Sequence, residues 1–65
     1  MQGTIKKLMP NGCGFIAVAD SAKDLFFHSS SLTGVRFEDL KEGHKVVFDT
    51  EQTRRGVVAV NIRWP

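Results

Sequence analysis

The 65-residue chain predicts an all-β fold, a five-stranded antiparallel barrel built as one domain over residues 1–65. Apolar residues recur at every second position in short segments, which is the period of a half-buried strand. Turn-forming residues interrupt these segments at intervals of roughly ten, the spacing of small sandwiches and barrels. A chain this short folds about one core, and closing five strands into a barrel removes the open sheet edges at the least length.

Gln2 to Met9 reads as the first strand, ended by Pro10-Asn11-Gly12. Proline presets its backbone angle there, and Asn and Gly tolerate the unusual ones, so the segment is a hairpin turn. From Gly12 the second strand alternates, with Gly12, Gly14, Ile16 and Val18 inward and Cys13, Phe15 and Ala17 outward. Asp20 to Lys23 turns the chain again. In "DLFFHS", Leu25 and Phe27 share one face and Phe26 and His28 the other, before Ser29-Ser30-Ser31 breaks the pattern. Leu32 to His44 is irregular, punctuated by Gly34 and Gly43, with a helical turn expected in "FEDLKEG". "KVVFDT" then sends Val46 and Phe48 inward, "EQTRRG" forms a charged loop, and "VVAVNIR" is expected to bury Val58, Val60 and Ile62 on one face. Inward glycines on the second strand suit a small barrel, whose strands bend sharply.

Composition narrows the chemistry. One cysteine excludes an internal disulfide, and a lone sulfur does not make a structural zinc site, so no metal or cofactor is expected. The apolar runs Phe15 to Ala19 and Val57 to Val60 are far too short to span a bilayer. Met1 leads straight into patterned sequence with no charged-then-apolar signal, so the protein is expected to be soluble and cytoplasmic, without a membrane partner. Nine Lys and Arg against seven Asp and Glu leave a net charge of +2, so distribution rather than net charge must select a partner.

That distribution is informative. The alternation that buries Ile16 and Phe27 turns Phe15, Phe26 and His28 outward together. Water-facing rings on adjacent strands cost hydrophobic free energy and mark a binding platform. Lys6, Lys7, Arg36, Arg54 and Arg55 fall in the flanking strand and loops, positions from which they would rim it. Rings interleaved with cations suit a single-stranded nucleic acid, whose bases stack while its phosphates meet Lys and Arg. Enzyme readings fare badly. His28 beside Ser29-Ser30-Ser31 suggests a base and nucleophile, but neighbouring strand residues face opposite ways. "GCGF" lacks the length, lysine and helix of a phosphate-binding loop. His44 and Trp64 read as structural or incidental.

Taken together, "GTIK", "NGCGFI", "DLFFHSS", "FEDLKEGHKVVFD" and "RGVVAVNI" resemble the bacterial cold-shock proteins over nearly the whole chain and in the same order. The resemblance implies an oligonucleotide/oligosaccharide-binding (OB) barrel that binds single-stranded RNA or DNA, melts RNA secondary structure and catalyses nothing. It implies nucleic-acid contacts at Phe15, Phe26 and His28 of the two ribonucleoprotein motifs, at the loop aromatic Phe37, at Lys6, and at Arg55 of Arg55-Gly56. With the strand and loop cations, the candidate interface is Lys6, Lys7, Phe15, Phe26, His28, Phe37, Arg54 and Arg55, with Cys13 peripheral. Departures are equally specific. Where the family has Lys-Trp-Phe-Asn, this chain has Lys6-Lys7-Leu8-Met9, Cys13 and Ser29 replace phenylalanines, Asn11 replaces a lysine, and the turn before Gly12 is one residue shorter. Each lost ring removes about 1–3 kcal/mol of stacking, more than an added exposed lysine returns. Weaker and more salt-dependent binding over a shorter footprint is expected. A monomer is expected, with a strand-swapped or weak dimer left open, and the rival reading is a barrel turned to protein contact or self-association.

Overall fold

The computed structural model describes residues 1–19 and 24–65. Its strands are β1 (Gln2–Leu8), β2 (Cys13–Ala17), β3 (Leu25–His28), β4 (Lys45–Thr53) and β5 (Gly56–Arg63). They close into a barrel in the order β1-β2-β3-β5-β4, with β4 pairing back to β1. Hairpins make β1–β2 and β4–β5 antiparallel, and β2–β3 and β1–β4 follow suit; β3 and β5 meet in parallel through Phe26 and Val58 and complete the closure. The turn expected at Asp20 to Lys23 lies outside the described residues.

Alternation fills the barrel. Ile5, Ile16, Phe27, Val46, Phe48, Ala59 and Ile62 are no more than 1% exposed. Removing each of the Ile, Val and Phe side chains from water contributes about 1.5–3 kcal/mol, and this cluster is the main source of stability in a chain with no disulfide. Gly14 is required by the same packing. A Cβ there would lie 2.7 Å from the Phe27 ring and from the Lys7 carbonyl oxygen, too close for any side chain.

Two irregularities depart from strict alternation, and both shape the surface. Between Ile5↔Ile16 and Lys7↔Phe15, β1 gains a residue on β2. Between Val47↔Arg63 and Asp49↔Val60, β5 gains one on β4, and Asn61 adopts a φ of 52°. Such bulges shift which face the following residues occupy. The expectation that Val58, Val60 and Ile62 share the inner face is thereby corrected. Ala59 and Ile62, three apart, are fully buried, while Val58 stands beside Phe26 on the outer side.

The irregular segment holds two 3-10 turns, Ser29–Ser31 and Phe37–Asp39, the second at the expected helical turn. Leu40 beyond it is buried, and Phe37 packs on the core with its ring centroid 6.4 Å from that of Phe27. At the far end of the chain Trp64 meets His44 edge to face at 5.4 Å. No helix among the described residues is long and apolar enough to cross a membrane.

Candidate nucleic-acid interface

Phe15 and Phe26 are partners across the β2–β3 ladder, and their rings meet edge to face with centroids 5.8 Å apart. Both are half-buried, so each leaves part of a ring to solvent. An edge-to-face pair gains about 0.5–1.5 kcal/mol beyond burial, which holds both rings in place before any ligand arrives. Two grooves flank this pair.

The first, of 500 Å³, is lined by Lys6, Lys7, Phe15 and Asp24. The β1 bulge explains why two consecutive strand residues share it, since Lys6 and Lys7 together oppose Phe15 and both are exposed. Lys6 Nζ reaches Asp24 Oδ2 at 3.0 Å, an open surface pair worth about 0–1 kcal/mol. Lys7 has no ion-pair partner among the described residues.

The second groove, of 410 Å³, is lined by Phe26, Phe27, His28, Ser31 and Val58 together with Thr53, Arg54 and Arg55. His28 closes β3 and caps the 3-10 turn after it. Its Nδ1 accepts the Ser30 backbone N–H at 3.1 Å, so the neutral ring carries its proton on Nε2. That nitrogen is left as a donor. Arg54 and Arg55 occupy the tip of the β4–β5 hairpin, both exposed and without ion pairs among the described residues.

The structure thus gathers Phe15, Phe26, His28, Lys6, Lys7, Arg54 and Arg55 about one ring pair. Phe37 does not line either groove and is tied to the core through Phe27. Arg36, expected at the rim, instead reaches Glu38 Oε1 at 3.4 Å. The outward, accessible placement of Cys13 is corrected. Its register partner is His28, which keeps it in the Phe15 row, yet it is only 9% exposed. The tight turn folds back on it, with Met9 N–H donating to its carbonyl at 2.9 Å and Ser29 N–H to that of Gly12 at 2.7 Å.

Sequence reasoning missed Ser31, Thr53 and Val58. For Val58 a signal exists, because Asn61 is a poor strand former that tolerates positive φ and so marks the bulge that turns Val58 outward. Among the described residues no group of His, Cys, Asp and Glu is placed to hold a metal ion.

Comparison with known proteins agrees with this geometry. The family model of the 'Cold-shock' DNA-binding domain matches residues 1–65. The chain is 45% identical over 51 residues to the cold shock-like protein CspB of Yersinia pestis, covering 78% of this chain and 73% of that protein. It is 43% identical over 51 residues to the cold shock-like protein CspC of Escherichia coli K12, covering 78% and 74% respectively. CspC of Buchnera aphidicola matches to the same extent. With a five-stranded closed barrel and a whole-length family match, the chain belongs to the cold-shock DNA-binding domain family.

Proposed function

We propose that this protein binds single-stranded RNA or DNA by stacking bases on Phe15 and Phe26 while cations on both sides engage the phosphates. The observation that carries the reading is the preset ring pair, 5.8 Å between centroids, with Lys6 and Lys7 in one adjoining groove and Arg54, Arg55 and His28 in the other. A strand crossing the pair meets positive charge before and after its stacked bases. A duplex hides its base faces and gains only the charge. Family membership supports the same partner class.

Binding that favours unpaired bases shifts an RNA folding equilibrium without consuming energy, which is chaperone-like action rather than turnover. Both grooves are built from one chain, so a monomer suffices. A lone, covered thiol suits a reducing compartment, and we place the protein in the cytoplasm. Titrating a labelled pyrimidine strand into the parent, Phe15→Ala and Phe26→Ala tests the reading. Each substitution is expected to weaken binding by about 1–3 kcal/mol, roughly 5- to 150-fold. Equal affinity for duplex and single strand, or unchanged affinity in both variants, would overturn it.

A further inference from the structure

The β4–β5 hairpin carries Arg54 and Arg55 at its tip, and it is closed by one hydroxyl. Thr53 and Gly56 are register partners at the ends of the turn. Thr53 Oγ1 donates to the Gly56 carbonyl at 2.8 Å and accepts the Arg55 backbone N–H at 3.2 Å. A threonine oxygen accepting from the amide two residues ahead is a side-chain mimic of a backbone turn. Gly56 completes the loop with a φ of 110°, in the region side chains rarely adopt. Arg54 and Arg55 are not in that region, since Asn61 is the one non-glycine residue with positive φ among those described.

Two neighbouring arginines repel each other, and a free loop would spread them. Holding them for a ligand costs ordering entropy at the moment of binding unless the fold has already met that cost. Here the backbone that carries them is tied by the Thr53 hydroxyl, and Thr53 with both arginines lines the same groove as Phe26, His28 and Val58.

We infer that Thr53 is a positioning residue for the nucleic-acid interface, its hydroxyl clamping the Arg54-Arg55 turn so that both guanidinium groups engage the phosphate backbone of a strand stacked on Phe26. The inference rests on the nucleic-acid reading. Thr53 acts through the arginines rather than as a contact of its own.

The test is a thermodynamic cycle. Binding of a short labelled oligothymidylate is measured at several salt concentrations for the parent, Thr53→Val, Thr53→Ser, Arg54→Ala/Arg55→Ala, and the triple variant that adds Thr53→Val to the arginine pair. Valine keeps the branched strand shape and loses the hydroxyl; serine keeps the hydroxyl. Thr53→Val is expected to weaken binding about fivefold, the worth of one such hydrogen bond, and to flatten the salt dependence. Thr53→Ser restores both, and Thr53→Val adds nothing once the arginines are gone. A clamp of purely structural value would lower the melting temperature while leaving the affinity and salt slope of the folded protein at the parent's values. That result overturns the inference, as does a Thr53→Val effect that persists without the arginines. If the parent and the arginine variant bind differently while Thr53→Val matches the parent, the nucleic-acid reading stands and the role of Thr53 falls. If the parent binds no strand, both fall.

Discussion

His28 does two separable things with one ring. Nδ1 caps the Ser29–Ser31 turn through the Ser30 amide, and the same residue lines the groove beside Phe26. Asparagine has an oxygen at the reach of Nδ1 and nothing at the reach of Nε2. His28→Asn should therefore keep its stability to within about half a kcal/mol, while His28→Ala loses about 1 kcal/mol with the cap. Both should weaken strand binding to a similar extent, since both lack the ring and its donor. Urea melts beside an anisotropy titration separate the two quantities, and equal stability losses in both variants would remove the capping role. Cys13 carries a second residue-scale prediction. At 9% exposure its thiol should react with a water-soluble disulfide reagent only as fast as the protein opens, and promptly in denaturant. Prompt reaction under native conditions would place the sulfur on the open surface that strand parity alone suggests.

At the scale of elements, packing and register divide what the sequence shows from what it conceals. Period-two alternation identifies Ile16, Phe27, Val46 and Phe48 as core and Phe15 and Phe26 as their outward counterparts, because neighbours in one strand must face opposite ways. Gly14 follows from the same rule. Its missing side chain is the space occupied by Phe27, so Gly14→Ala should destabilise the barrel by about 1–3 kcal/mol in equilibrium denaturation, and a neutral result would mean that the ring and β1 can move aside. Alternation fails where a strand gains a residue, and it does so at both bulges. The β1 bulge puts Lys6 and Lys7 side by side at Phe15, and the β5 bulge turns Val58 to Phe26. Each is decided by the partner strand, which local periodicity does not contain. Cys13 also departs from the alternation of its strand, buried in a stretch that Met9 N–H ties at its own carbonyl and Ser29 N–H at that of Gly12. The candidate rings were legible because they lie between irregularities. The cations and His28 that line the grooves were legible too, whereas Val58 was not, because the β5 bulge sets which way it faces.

The whole molecule carries a net charge of only +2, which would suggest weak electrostatics. Placement changes that conclusion. Arg36 and Arg63 are paired with Glu38 and Asp49, away from both grooves, and Lys6 is shared with Asp24, whereas Lys7, Arg54 and Arg55 have no ion pair among the described residues. A single strand stacked on Phe15 and Phe26 thus meets three unpaired cations and a fourth that must leave a carboxylate. Each phosphate neutralised on a single strand contributes about 0.7 to the slope of log affinity against log salt, so the slope should fall between about −2 and −3. From 50 to 200 mM salt the affinity should then drop by about 20- to 50-fold. The ring pair sets the opposing expectation, because stacking is insensitive to salt and survives at high ionic strength. Phe15→Ala/Phe26→Ala should accordingly lower affinity at every salt concentration without changing the slope, and Arg54→Ala/Arg55→Ala should reduce the slope by about 1.4. Anisotropy titrations across a salt series resolve the two contributions. A flat salt response in the parent would show that the four cations do not meet the phosphates together, and the strand would then have to follow a path over the barrel other than the line from Lys7 across the rings to Arg55.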